Sequence, residues 1–471
     1  MKSAAFNYQK YRPFKPVPIP HRQWPDKVLT QAPTWCSVDL RDGNQALKQP
    51  LNSQQKLAFF KMLVKMGFKE IEVGFPSASV DDFQFVRTLI EGQYIPEDVT
   101  ISVLTQARES LIKRSFEALK GARQAMVHLY NSTSRVQREQ VFALDKQGII
   151  DIAVKGAQWV KDCAEQQPDT RWRFQYSPES FTATELDFAV QICNAVNKVW
   201  QPTADNPVVI NLPATVEVSM PNIYADQVEW FINHIDYQDH VIISVHTHND
   251  RGCAVAAAEM AMLAGAQRIE GTLLGNGERT GNADLITLAM NLYSQGIDPQ
   301  LDLADIQSIS ERISALIRIP VHPRHPYIGE LVYTAFSGSH QDAINKCLKN
   351  QQPDQIWEVA YLPIDPADLG RSYKEVIRIN SQSGKGGVAY IIEQELGIKL
   401  SREEQIAFAA RVQKVAEQCG AEMGREAVIE LFKQWSAANN RRNSQTDWTA
   451  KNTDNTVYSR PVQSETYMPG I

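Results

Sequence analysis

From residue 34 onward two patterns alternate along the chain. Short runs rich in Val, Ile and other β-formers, near 34–40, 70–74, 100–104, 125–129, 173–176, 208–211, 241–245 and 268–273, read as strands. Between them apolar residues recur with the helical period, over 54–66, 81–90, 149–165, 184–199, 225–234, 254–264 and 282–293. Eight strands with helical stretches between them, spread over 34 to 296, predict a (β/α)8 TIM barrel. A doubly wound open sheet shares the alternation, but no Gly-x-Gly-x-x-Gly turn follows the first strand.

Outside that rhythm the patterning changes. Residues 1–33 hold Pro13, Pro16, Pro18, Pro20, Pro25 and Pro33 and predict an extended arm. Residues 297–435 read as a mainly helical accessory region, with helices over 304–318, 344–349 and 403–435. From 436 to 471 the chain turns to Asn, Gln, Ser, Thr and Arg, the composition of a polar, flexible tail.

Barrel chemistry belongs at the C-terminal ends of the strands, and polar clusters gather there. The first strand runs into Asp39-Leu40-Arg41-Asp42-Gly43-Asn44-Gln45, the fifth into Ser177-Pro178-Glu179-Ser180, and the seventh into His246-Thr247-His248-Asn249-Asp250. Alternation turns His246 and His248 the same way as the strand leaves the core. Taken alone, that pair fits either a metal site or two histidines satisfied by hydrogen bonds. Strands one, eight and seven are neighbours in a closed barrel, so Asp42 can join the two imidazoles, with Asn282 as a fourth ligand through its oxygen. Such a set suits Mg2+, Mn2+ or Zn2+ and leaves positions open for a 2-oxo acid. Arg41 is then placed to neutralise an alkoxide; its alternative is a rim salt bridge to Asp42. Glu179 fits a substrate orienter, a proton relay or a solvated glutamate, and the residues leave these open. The glycine-bearing stretch 275–282 follows the eighth strand, where barrels bind anions, so Gly275, Asn276, Gly277 and Arg279 become candidates for holding a cofactor. Gly384-Lys385-Gly386-Gly387 lacks P-loop spacing and suits at most an anionic cofactor tail.

A net charge of −6 offers no footprint for nucleic acid or an anionic membrane. The six cysteines form no Cys-x-x-Cys pair, as in a reduced, cytoplasmic protein without a disulfide frame. Residues 1–20 lack the apolar core of a signal peptide, and the run 254–266 is broken by Glu259 and too short to span a bilayer.

Five motifs in order carry a resemblance: 39–45, Glu72-Val73-Gly74-Phe75-Pro76, Tyr176-Ser177-Pro178-Glu179-Ser180, 246–250 and Gly275-Asn276-Gly277-Glu278-Arg279-Thr280-Gly281-Asn282. Together with Ser339-His340, Leu362-Pro363-Ile364-Asp365-Pro366 and Ser381-Gln382-Ser383-Gly384-Lys385-Gly386-Gly387, they make the chain similar to the longer bacterial type of the 2-isopropylmalate synthase family over roughly 7–435. The resemblance implies condensation of acetyl-CoA with 2-oxoisovalerate, the first committed step toward leucine. It implies that Asp42, His246, His248 and Asn282 bind the divalent metal, Mg2+ above all. It sets Thr215, Ser177 and Arg41 against the oxo acid, with His128, Tyr130 and Leu104 around its branched tail. Glu179 and His340, assisted by Tyr361, are implied in deprotonating the acetyl methyl. A homodimer is implied too, in which His340 and Tyr361 serve the partner's barrel. Members of this type usually carry a further leucine-binding domain, whereas the stretch after Trp435 is too short for one, so a catalytic form without leucine feedback is expected. The alternatives are a homocitrate or citramalate synthase, for which a dicarboxylic substrate would want another cation at the tail pocket, a lyase, and a non-catalytic metal-binding barrel.

Overall fold

The computed structural model describes residues 10, 14–352, 355–371, 385–419 and 423–450. Eight parallel strands close into a barrel in chain order, the first pairing with both the second and the eighth. They are β1 (Thr34–Ser37), β2 (Glu70–Gly74), β3 (Thr100–Gln106), β4 (Gln124–Ser132), β5 (Arg171–Glu179), β6 (Val208–Ala214), β7 (Val241–Thr247) and β8 (Arg268–Gly271). Around them lie α1 (Ser53–Met66), α2 (Val80–Glu91), α3 (Glu109–Leu119), α4 (Lys146–Glu165), α5 (Leu186–Trp200), α6 (Pro221–Ile232), α7 (Ala254–Leu263) and α8 (Leu285–Tyr293). The TIM barrel is therefore present, and the open sheet is excluded by the β1–β8 pairing.

Local chemistry starts and stops these elements. Asn52 and Gln55 form a reciprocal capping box at α1, and Gly67 ends that helix with φ 104°. Asp145 caps α4 and Asp284 caps α8. Two strands end sooner than the apolar runs suggest. After β1 the chain turns at Asp39–Gly43, where Asp39 accepts from Ser37 Oγ at 2.8 Å and from Leu273 N at 3.2 Å. After β8 the chain doubles back so closely that a Cβ on Gly271 would lie 2.5 Å from Ala283 O. Conversely β4 and β5 run longer, so Tyr130, Ser177 and Glu179 sit on strands rather than in loops.

Most TIM barrels fill their interior with branched aliphatic residues. This one places charges there. Glu70, Glu72, Arg268 and Glu270 are all at least 96 % buried by relative exposure, as are His128, Gln175, Asn211 and His246. Each charge finds a partner, since an unpaired one would cost several kcal/mol. Arg268 donates to Glu70 at 2.5 Å and to Glu270 at 2.6 Å, and Arg173 donates to Glu70 at 2.5 Å.

The chain divides into two compact units, Met1–Val332 with Asp368–Gly370 and Tyr333–Ala367 with Arg371–Ile471. The first holds the barrel, α9 (Ile306–Ile317) and the described part of the N-terminal arm. That arm is pinned to α6: Arg22 Nη2 and Trp24 Nε1 donate to the Asp226 carboxylate at 2.7 and 2.8 Å. The second unit is helical, with α10 (Gly338–Asn350), α11 (Lys385–Leu396), α12 (Arg402–Cys419) and α13 (Arg425–Ala450). Phe408 of α12 packs on Phe432 and Trp435 of α13 at ring distances of 5.1 and 5.3 Å. Where one helix was expected over 403–435 there are two, with Gly424 just before α13. The polar stretch from 436 begins as the end of α13, and the remainder of the expected tail, 451–471, lies outside the described residues. Lys385, Gly386 and Gly387 open a helix instead of forming a loop, while Gly384 lies outside the described residues.

Candidate active site

Strand alternation aims Ser244 and His246 of β7 inward, and the chain continues to His248, which bridges to Asn282 in the loop after β8. Asp42 arrives from the turn after β1. Donor atoms of Asp42, His246 and His248 all lie within 4.8 Å of one another, and all three residues are buried. The two imidazole Nε2 atoms are each 3.9 Å from Asp42 Oδ2, too far for a hydrogen bond. Ligands that each reach about 2.1 Å to a common ion stand roughly 3–4 Å apart, which is this spacing. Asn282 completes the set, its Oδ1 2.6 Å from His246 Nε2 and its Nδ2 2.6 Å from Asp42 Oδ2. Two imidazoles, a carboxylate and a side-chain carbonyl therefore fit a divalent cation.

Charge is graded across this cluster. Burial alone would raise Asp42, but Arg41 and both histidines hold it below the usual carboxylate range. For His246 burial lowers the value, yet the hydrogen bond and charge of Glu270 carry it above an ordinary histidine. His248, buried beside His246, is pushed down to about 4 and keeps a free lone pair at neutral pH. Arg41 donates to Glu72 at 2.5 Å and to Asp42 at 2.8 Å, which fixes the guanidinium at the cavity wall.

A cavity of about 360 Å³ opens at the C-terminal mouth of the barrel. Its wall includes Arg41, Asp42, Leu104, His128, Tyr130, Ser177, Glu179, Thr215, His246 and His248, so the sequence candidates from six strands meet in one place. His128 is held on both sides, Nδ1 2.7 Å from Glu72 and Nε2 2.7 Å from Ser177 Oγ. Glu179 accepts from Ser132 Oγ, and Thr215 Oγ1 accepts from Ser180 N at 2.9 Å. Tyr130 OH accepts from Gln106 Nε2 at 3.0 Å.

Gly275, Asn276, Gly277 and Arg279 line a neighbouring cavity of about 700 Å³, and Arg279 also borders the first. The loop is tightly closed. Gly281 has φ 98°, and a Cβ there would fall 1.9 Å from Gly275 O. Arg279 is committed to Asp250 Oδ1 at 2.6 Å and Thr215 O at 2.5 Å, tying together the loops after β6, β7 and β8. His340 and Tyr361 belong to the second unit, where their rings stack at 3.9 Å. Tyr361 is 60 % exposed and held at φ 65°, a conformation a tyrosine seldom adopts without cause.

Sequence reasoning passed over the roles of Glu72 and Glu270, the two carboxylates that hold His128 and His246. The signal was present: Glu70-Ile71-Glu72 and Arg268-Ile269-Glu270 put charges two apart on one face of strands that are otherwise apolar.

Residues 32–313 match the HMGL-like family, and residues 330–393 match the alpha-isopropylmalate synthase post-catalytic domain-like family. The chain is 59 % identical over 432 residues to a 2-isopropylmalate synthase of Pseudomonas entomophila (strain L48), covering 92 % of this chain and 78 % of the relative. A 2-isopropylmalate synthase of Alcanivorax borkumensis is 60 % identical over 428 residues, 91 % of this chain and 77 % of the relative. In fold the barrel is similar to hydroxymethylglutaryl-CoA lyase from Pseudomonas aeruginosa, with a TM-score of 0.50, 18 % identity, and coverage of 61 % of this chain and 94 % of that one.

Proposed function

The chain belongs to the 2-isopropylmalate synthase family, and from that premise we propose how its own residues join acetyl-CoA to 2-oxoisovalerate and water, giving 2-isopropylmalate and CoA. It is an acyltransferase of leucine biosynthesis that uses a divalent metal. The observation that carries the reading is the convergence of Asp42, His246 and His248 beside Arg41 at the mouth of the barrel.

Asp42, His246, His248 and Asn282 would hold the ion, which would supply Lewis acidity toward the carbonyl of the oxo acid. Arg41, itself fixed by Glu72 and Asp42, faces the carbonyl oxygen and balances the charge that grows on it. Thr215 and Ser177 orient the acid. Leu104, Tyr130 and His128 surround its isopropyl group, and at this end the cavity offers an apolar face rather than a free cation for a second carboxylate. CoA lies in the larger cavity along Gly275, Asn276 and Gly277, where Lys48 and Arg318 meet its phosphates. Glu179, His340 and Tyr361 move the proton from the acetyl methyl, which then attacks the carbonyl carbon; water hydrolyses the thioester. The working form is a homodimer, and His340 and Tyr361 act at the partner's barrel. It works in the cytoplasm: all six cysteines are free thiols, and no helix among the described residues is long and apolar enough to cross a membrane.

Thiol release from acetyl-CoA by the metal-loaded protein tests this reading, with 2-oxoisovalerate, pyruvate and 2-oxoglutarate compared. The expected result is a strong preference for 2-oxoisovalerate that His246→Ala abolishes. Absence of thiol release with all three acids, in protein that binds metal, would overturn it.

A further inference from the structure

The nitrogen of an imidazole that keeps its proton cannot bind a metal, so whatever bonds one ring nitrogen selects the other as ligand. His246 Nδ1 lies 2.8 Å from Glu270 Oε2, and the strand register sets His246 directly beside Glu270. Glu270 is completely buried. Its Oε1 accepts from Gln175 Nε2 and from Arg268 Nη1, both at 2.6 Å. Its Oε2 faces His246 Nδ1 and accepts from Asn211 Nδ2 at 3.3 Å. An ionised carboxylate has about four acceptor positions; Gln175, Arg268 and Asn211 take three and leave the one that faces His246. The buried Arg268 guanidinium, 2.6 Å from Oε1, keeps Glu270 ionised, so the hydrogen between Glu270 and His246 sits on His246 Nδ1. With Nδ1 so committed, Nε2, the atom nearest Asp42 and Asn282, is the nitrogen that can give up its hydrogen and offer a lone pair to an ion.

We propose that Glu270 is a positioning residue for the divalent ion, holding His246 in the one tautomer and ring rotation that present Nε2 to the metal site. The assignment rests on the metal-site reading above. It also distinguishes the two histidines. His248 Nδ1 is buried without a hydrogen-bond partner among the described residues, so only the His246 ring is held from behind. Glu270 reaches the substrate side as well, because Gln175 Nε2, which donates to it, lies 3.2 Å from His128 Nε2. The competing role for Glu270 is charge balance for the buried Arg268 alone. Glu70 supplies a control, since it bonds the same arginine at 2.5 Å and does not touch His246.

Mn2+ binding to the full chain without substrates, followed by calorimetry and by the electron paramagnetic resonance of the bound ion, separates these roles. Glu270→Gln is expected to weaken Mn2+ about 10–100-fold and to alter the nitrogen coupling in the spectrum, whereas Glu70→Gln leaves both as in the wild type. Glu270→Asp keeps the negative charge for Arg268 but withdraws it from His246, so it too should lose affinity, and it serves if Glu270→Gln does not fold. Folded Glu270→Gln or Glu270→Asp protein binding Mn2+ like the wild type would overturn the proposal, as would equal losses in Glu270→Gln and Glu70→Gln. In either case wild-type binding that His246→Ala removes would leave the metal-site reading standing. A wild-type chain that does not bind Mn2+, or His246→Ala protein that still does, would bring down that reading and the proposal with it.

Discussion

His325 Nε2 donates to Asp284 Oδ2 at 2.8 Å, and the same aspartate caps α8 by accepting from Thr287 N at 3.0 Å. Burial alone would lower the histidine, but the hydrogen bond and charge of Asp284 raise it above its ordinary value. A raised histidine stabilises the fold fully below the unfolded value near 6.5 and loses that contribution as pH climbs through the folded one. The melting temperature of His325→Gln should therefore fall furthest below the wild type in mild acid, and the gap should close as pH rises past neutrality. Asp284→Ala removes cap and ion pair together, and denaturant titration should register a loss of about 2 kcal/mol or more. At this scale the sequence was legible in placement: Asp42, His246 and Glu179, read at strand ends, line one cavity. It was opaque where a buried carboxylate serves another side chain. Glu72 and Glu270 look like ordinary polar positions until the closed barrel turns them inward toward His128 and His246.

Among elements, the loop 275–282 shows how little latitude the rim has. Asn282 N donates to Gly275 O at 2.9 Å and Gly281 N to Glu278 O at 2.9 Å, closing a ring that carries the side chain of Asn282 toward Asp42. Alanine at Gly281 would need a left-handed backbone and would press on Gly275 O. Gly281→Ala should weaken Mn2+ by about tenfold or more in a calorimetric titration while its far-ultraviolet circular dichroism stays that of a barrel. Repeated strand and helix periods made the barrel readable, because strands buried on both faces read as apolar runs and most helices bury one face. The second unit was harder. Lys385-Gly386-Gly387 has the residues of a loop yet begins α11, whose Val388, Ile391 and Ile392 are buried. Tertiary packing there overrides weak local propensity.

For the whole molecule, the proposed homodimer with shared active sites makes a prediction no single-chain reading shares. His246→Ala and His340→Ala proteins should each be inactive, but mixing and reassociating them at equal amounts should restore about a quarter of wild-type thiol release, since half the dimers then carry one intact site. Activity that stays absent in verified mixed dimers would place His340 with its own barrel. The charged interior has an evolutionary corollary. Residues such as Leu104 and Tyr130 touch the cavity singly and can drift one at a time, letting descendants of this barrel trade one oxo acid for another. Arg173, Glu70, Arg268, Glu270 and Gln175 bond one to the next in an unbroken chain across the interior. Such a set is inherited as a block, because the first substitution in it is harmful until the others follow.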